Sequence, residues 1–519
     1  MACTAGAGFS APARTALSAN YTADSESLQE VIKGIIEWKK NDVGAMPAQS
    51  IFTPKFLGLA GSASGDWYPL GIGRYGYKDN YAAYLAAVTD YVSREYQTAS
   101  KLGANATEWH RIALAVSAAG GDPTEIGDFN NSPINLIADG VYNRNNLGGQ
   151  GINGWAWGLI VLDSKQYEIP DGAANTRESI ITAILAREIK GGGFALTGTN
   201  PDPSITGMVV QALSPYYENR QDVRLTVDRA ITWLSSAQES DGGYVSWGTR
   251  EAGSGVWAML ACISIGIDPL TDSRFIKNGN SLLDGIMRYR NTDGGFLHSY
   301  SNDPENPLAV AGKSNSMASE QVLYGLVGLY RFQNGMNNLF DMSDQSVIGH
   351  NVITAEDISR ADTVINKTLI TTEDRTEIDE LLYIFSLSGD FEGKAEYIAA
   401  LETLKTRVTE IQVEIDSIMA DIIENLYPFD KLGLKDKKNI NAILARYEAL
   451  SEYDRTQFKT ADIEAIYKSK AQLDNLTLAL WLGVSGGVIA VTGAGFVAIN
   501  IIRRKKKKAA LKYMPETDE

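Results

Sequence analysis

Three short signals, set almost evenly along the chain, constrain its fold most: Gly192-Gly193-Phe194, Gly242-Gly243-Tyr244 and Gly294-Gly295-Phe296, separated by 50 and 52 residues. A repeat of that period marks one supersecondary unit copied in line, and units that cannot bury their apolar faces alone must stack. Asp241 and Asp293 precede two of the signals. Each signal is followed by a loop and then by a small polar residue, Ser204, Ser254 or Ser316, that opens an apolar run. Within the turn, glycine supplies a positive φ at a helix end and the following aromatic ring packs back. No ligand is needed to explain it.

Two kinds of helix alternate between these signals. Residues 223–238 carry Val227, Ile231 and Leu234 on one face and Arg224 and Asp228 on another, the pattern of a surface helix. Residues 255–263 and 322–329 are apolar nearly all round, so they must be screened from water on most sides. Extended backwards, the pattern places inner helices near 155–162, 112–119 and 68–75, with outer partners at 174–190, 134–143, 81–98 and 28–40. Six pairs fit between residues 27 and 333, and six pairs can close into a ring, which removes the exposed ends of an open solenoid. The expected fold class is therefore all-α.

The Asp-Gly-Gly-Phe/Tyr turns, their spacing and the alternating helices resemble prenyltransferase and squalene-cyclase repeats, which form the α/α toroid of terpenoid cyclases and protein prenyltransferases. The likeness covers about residues 27 to 340. Ser64-Gly65-Asp66-Trp67-Tyr68, Gly151-Ile152-Asn153-Gly154 and Ser319-Glu320-Gln321 look closest to toroid proteins anchored on Gram-positive bacterial surfaces. The resemblance implies a fold rather than an activity. Class II terpene cyclases protonate an alkene with an Asp-x-Asp-Asp motif, and the matching segment here is Asp202-Pro203-Ser204-Ile205-Thr206. Ser204 stands where the acid belongs, and a hydroxyl cannot protonate an alkene. Asp202 is expected to cap the helix it precedes. Protein prenyltransferases hold zinc with Asp, Cys and His, but Cys262 lies in an all-apolar helix without an Asp two residues before it. Met317-Ala318-Ser319-Glu320-Gln321 keeps only the last two residues of the Gly-Cys-Gly-Glu-Gln thioester motif of complement-type toroids. Cobalamin carriers use this toroid with a second, β-rich domain, and no β-rich partner domain is evident here.

With the enzymatic motifs missing, the expectation is a non-catalytic ligand-binding or partner-binding toroid, without cofactor or metal. The chain has 2 Cys and 3 His, too few for a multi-cysteine or imidazole-rich metal site. The alternative is an enzyme on isoprenoid or glycan substrates whose carboxylates escape motif reading. A glycosidase needs two of them about 5 to 9.5 Å apart, and Asp66, Asp202, Glu251 and Glu320 stand near inner-helix starts. Inner-helix N-termini attract anions and present free backbone donors. Arg111, Trp155, Asp202, Thr206, Trp257 and Glu320 are the candidate ligand-binding residues gathered at that mouth.

After residue 340 glycine thins out. Leu401, Leu404, Val408, Ile411, Ile415, Ile418 and Ile422 form a heptad seam, Ile440, Ile443, Tyr447 and Leu450 a second, and Ile463, Ile466 and Leu473 a third. Residues 341–474 thus read as a helical bundle spacer, with coiled-coil pairing between copies as the other outcome. Around Ala445-Arg446-Tyr447-Glu448-Ala449-Leu450 the stretch 437–474 resembles the helical repeat modules of Gram-positive surface proteins. From 475 to 502 no charged residue occurs, and 28 helical residues span about 42 Å, more than a hydrocarbon core of about 30 Å. Six consecutive basic residues, 503–508, follow and place the tail 503–519 on the cytoplasmic side. The large N-terminal part then lies outside a plasma membrane, facing an extracellular ligand or protein. A formal net charge of −16 suits a solvated outer surface and argues against nucleic acid as partner. Residues 1–26 read as the remnant of an export signal or as disordered, because Ala16-Leu17-Ser18-Ala19 resembles a cleavage region without its apolar part.

Overall fold

The computed structural model describes residues 25–302, 310–349 and 352–485, and there the chain is predominantly α-helical. The expected all-α class holds. Residues 1–24 and the tail 503–519 lie outside the described residues, as does the uncharged stretch beyond 485. Among the described residues no helix is long and apolar enough to cross a membrane.

The described residues divide into two compact units, one holding those of 25–368 and 374–405 and the other 369–373 with 406–485. In chain order the first begins with α1 (Ser25–Val43), α2 (Pro54–Leu57), α3 (Ala63–Tyr75), α4 (Tyr81–Ala99), α5 (Ala106–Ala118) and α6 (Ile152–Ser164). It continues with α7 (Arg177–Leu185), α8 (Pro203–Leu213), α9 (Gln221–Ala237), α10 (Ala252–Ser264), α11 (Leu282–Met287) and α12 (Ser316–Gln333). The helices α13 (Ala355–Ile365) and α14 (Arg375–Leu387) follow, and α15 (Lys394–Asp421) runs on into the second unit. Two small hairpins are present, β1 (Asp128–Phe129) with β2 (Ser132–Pro133) after α5 and β3 (Val245–Ser246) with β4 (Thr249–Arg250) before α10.

Packing in the first unit is cyclic. α3 packs on α5, α5 on α6, α6 on α8, α8 on α10, α10 on α12, and α12 returns to α3. Outside them, α1 lies on α12, α7 on α6, α9 on α8 and α11 on α10. The double-glycine turns explain how the outer helices meet. A Cβ on Gly192 would sit 2.6 Å from Arg229 O, on Gly242 2.2 Å from Ser281 O, and on Gly294 2.7 Å from Gly34 O. Each turn therefore abuts the following outer helix, and the third abuts α1, the first of them. These three glycines also have φ of 95°, 86° and 92°, so both conformation and space require glycine. The aromatic residues after them, Phe194, Tyr244 and Phe296, are buried as expected.

The first unit also takes in residues 374–405. α14 packs on α4, and Asn80 Nδ2 donates to Asp379 Oδ2 at 2.8 Å, which binds 374–405 to the first unit. In the second unit the end of α15 joins α16 (Lys437–Ala449), α17 (Glu452–Arg455) and α18 (Thr460–Ser485). Ile415, Ile418 and Ile422 from the first seam, Ile440 and Ile443 from the second, and Ile463, Ile466 and Leu473 from the third share one core. Leu401, Leu404 and Val408, the start of the first seam, lie outside this core, so only its later half packs with the other two.

Candidate functional site

Indole rings meet at the centre of the inner cycle. Trp67 of α3 lies 5.3 Å from Trp157 of α6, and Trp157 lies 5.5 Å from Trp257 of α10, although neither pair belongs to neighbouring helices of the cycle. Tyr324 of α12 completes the set, 5.7 Å from both Trp67 and Trp257. Phe340 enters from the chain after α12 and touches Trp157 at 5.6 Å and Trp257 at 6.3 Å. Rings that bridge non-adjacent helices fill the space between them. Trp157, Trp257, Tyr324 and Phe340 are buried, and Trp67 is partly buried.

Polar groups cap three of the inner helices at their N-termini. The Asp202 carboxylate accepts from Ile205 N at 3.0 Å, capping α8, and from Ser246 Oγ at 2.5 Å. Glu251 caps α10 through Gly253 N and Ser254 N at 2.6 and 2.8 Å, and Asn315 caps α12 through Ala318 N at 2.9 Å. These caps occupy equivalent places in successive repeats, so the capping role of Asp202 follows from the fold. The Thr206 Oγ1 accepts from Phe194 N at 2.9 Å, and Ser319 Oγ does the same for Phe296 N at 2.9 Å. Both hydroxyls tie an aromatic turn to the helix that follows it.

Of the six candidate residues, Arg111 and Glu320 come together around Asp66. Arg111 Nε donates to Asp66 Oδ2 at 2.9 Å, and Asp66 Oδ1 also accepts from Gly61 N and Tyr84 Oη, both at 2.9 Å. Burial pushes the Asp66 carboxyl up, and Arg111 with these donors pulls it back. Glu320 is buried, and its Oε2 has no hydrogen-bond partner. Burial drives its carboxyl far above the ordinary range, against the attraction of Lys39 and with the repulsion of Asp66 adding to the rise. Asp202 and Thr206 share the first turn of α8. Trp257 belongs to the aromatic plug. Trp155 is drawn away from the others: the Arg187 guanidinium stands 3.6 Å from its ring centroid, and a Cβ on Gly148 would collide with the ring.

Trp67, Phe340 and the Asp66–Tyr84 bond carry weight that sequence reasoning did not assign. Trp67 follows Asp66 in the chain, but residue order does not say which way its ring points. Phe340 carries no signal, since its role depends on where the chain returns after α12. His110 is buried, donates from Nε2 to Gly140 O at 2.9 Å, and is held by burial at about 4, so it stays neutral. Cys262 is fully buried and its thiol is pushed up by burial. Among the described residues no cluster of three or more His, Cys, Asp or Glu is placed to hold a metal ion. No protein-family model matches the chain, and no curated protein matches it.

Glu320 gives a pH test. Its folded pKa lies above the ordinary 4.5, so the folded state holds a proton that the unfolded chain releases. The stability this group contributes is complete below its unfolded pKa and declines as pH rises toward the folded value. Glu320→Gln, which stays neutral, should raise stability near pH 7 and leave it nearly unchanged near pH 4 in denaturant titrations. A variant less stable than the parent at both pH values sinks this account.

Proposed function

We propose that residues 27–340 form an α/α toroid of six helix pairs that recognises a protein partner outside the cell without catalysis. The second unit acts as a spacer, the span 475–502 anchors the chain in the plasma membrane, and the basic tail lies in the cytoplasm. The cyclic packing of the inner helices supports the toroid. The aromatic plug carries the non-catalytic reading: rings from α3, α6, α10 and α12 touch across the centre, where an enzyme of this architecture would hold its substrate.

Recognition then falls to the rim. Among the described residues between 25 and 333, six large apolar side chains are markedly exposed, and five of them, Leu196, Val245, Trp247, Tyr300 and Val310, stand on the segments leading into α8, α10 and α12. Trp247, 72% exposed, sits in the tight turn between β3 and β4, where Trp247 and Gly248 have φ of 50° and 81°. Tyr300 stacks on Tyr289 with centroids 5.1 Å apart. Exposed Trp and Tyr with Arg nearby is the composition of protein-binding hot spots, and Arg250 flanks the same hairpin. The opposing reading, an enzyme on isoprenoid or glycan substrates, has Glu320 in its favour, whose Oε2 lacks a hydrogen-bond partner, but that carboxyl is buried at 3% exposure.

Site-specific photocrosslinking on intact cells tests this reading. A crosslinker at Trp247 should yield a protein adduct that a crosslinker at Leu225, the sixth exposed residue and one on outer helix α9, does not. Adducts at both positions or at neither overturn the rim as the recognition surface. Protease added to the same cells should remove the toroid, and a protected toroid overturns the topology.

A further inference from the structure

The two ends of the second unit differ in what they show to water. α15 ends at one end of the bundle, the chain turns through 422–436, and α16 leads away from it. α18 runs back to the same end, because Lys437 Nζ reaches Asp474 Oδ1 at 2.8 Å and Thr477 Oγ1 at 2.9 Å. The opposite end is marked by Gln412 donating to Gln457 at 3.2 Å and Tyr467 donating to Glu448 at 2.9 Å. At the first end Ile423 is 69% exposed, Tyr427 62%, Leu434 42%, Leu476 44% and Leu478 56%. They are not needed to fill the core, which Ile415, Ile418, Ile422, Leu426, Ile440 and Ile466 already occupy.

Charge at this end also departs from the rest of the chain. Lys431, Lys435 and Lys438 are exposed there. Of the neighbouring acids, Asp421 is bridged to Arg446, Asp474 to Lys437 and Lys470, and Asp436 accepts from Gly433 N. That leaves Glu424, Asp430 and Asp436, whose bond to a backbone amide does not cancel its charge, against three exposed lysines, a local balance near zero in a chain whose formal net charge is −16. After Asp474, α18 carries no charged residue, and the sequence stays uncharged to 502. Leu476 and Leu478 are thus the first exposed apolar residues of a stretch that becomes wholly apolar or polar-neutral.

We propose that this end of the bundle is a membrane-contacting surface, with Ile423, Tyr427 and Leu434 seated in the interfacial layer of an anionic lipid leaflet and the three lysines among its headgroups. The inference rests on reading 475–502 as a membrane span. Aromatic and aliphatic side chains with lysine around the root of an uncharged helix match the chemistry of the membrane–water interface, where amphipathic rings settle and basic groups meet anionic lipid. The contact fixes the base of the second unit against the bilayer, so the spacer is held at its root by more than the single helix α18. A docked protein would explain the apolar side chains but not their position around the start of the uncharged stretch.

The test uses the full chain with Cys3→Ser, in which Cys262 is fully buried, reconstituted into vesicles of phosphatidylcholine and phosphatidylglycerol. Ile423→Cys and Leu434→Cys, each carrying an environment-sensitive fluorophore, are compared with Val413→Cys toward the opposite end. The first two should be quenched by brominated lipid at least about threefold more strongly than the third. Lys435→Glu combined with Lys438→Glu should reduce that quenching, as should vesicles of phosphatidylcholine alone. If the chain floats with the vesicles but all three labels are equally unquenched, the span reading stands and this proposal falls. Labels shielded from water yet untouched by brominated lipid are covered by protein, which also overturns it. A chain that does not float with the vesicles overturns the span reading and this proposal together.

Discussion

Replacing Trp257 by Ala should lower the stability of the first unit by about 3 to 5 kcal/mol, the range for deleting a large aromatic side chain from a core that cannot collapse. Trp257 is 2% exposed and touches Trp157, Tyr324 and Phe340, lying nearly parallel to the Phe340 ring at an interplanar angle of 8°. The surrounding backbones cannot close the gap because they already meet elsewhere. A Cβ on Gly207 would stand 2.5 Å from Trp257 O, and one on Gly325 2.6 Å from Val256 Cγ1. The hole left by the indole therefore persists and its lining loses dispersion contacts. Trp67→Ala removes a partly exposed ring from the same set and should cost less. Urea titrations of both variants, with the slope unchanged, measure the difference. A loss below about 1 kcal/mol for Trp257→Ala would mean that the centre is not a packed core.

Arg74→Met should cost about 3 to 5 kcal/mol, because it strands the partners of a buried guanidinium. Arg74 is 1% exposed, and its Nε donates to Leu339 O at 2.8 Å while Nη2 donates to Asn338 O at 3.1 Å and Asp341 O at 2.6 Å. Its Nη1 donates to Asp344 Oδ1 at 2.6 Å. Arg331 adds bonds to Asn337 O, Arg74 O and Asp344. Together the two arginines satisfy the carbonyls of the segment that delivers Phe340 into the plug. Arg74→Lys retains charge but loses the planar fork, so it should recover only part of the loss. Because Arg74 holds the loop and Phe340 is carried by it, Arg74→Met and Phe340→Ala should couple by more than about 0.5 kcal/mol in a double-mutant cycle. Strict additivity would show that the arginines do not position the ring.

Local physics made part of this protein legible in advance. The Gly-Gly-aromatic turns announced their own conformation, since positive φ at Gly192, Gly242 and Gly294 is a demand of the chain itself. Apolar periodicity separated α10, buried on every side, from α9, buried on one, because burial is written into residue order at the helical period. The capping of α8 by Asp202 was legible for the same reason: an N-cap acts within three residues.

What residue order could not supply was direction across the fold. Trp155 and Trp157 are two positions apart on one helix, about 200° around its axis, so one meets Arg187 and the other the centre. Glu251 and Glu320 both precede or open inner helices, yet Glu251 receives backbone donors and Glu320 is left with a bare Oε2. The attachment of 374–405 to the first unit likewise depends on α14 reaching α4, a contact made across nearly three hundred residues, as with Asn80 and Asp379. The sequence by itself determined most helical segments, their turns and which faces seek burial, because those depend on neighbours within a few residues, but the outer helix expected at 134–143 is only a π-helical turn at Ala138–Tyr142. Only the tertiary structure decided which rings fill the centre and which carboxyl stays unpaired, because those depend on groups brought together by chain closure.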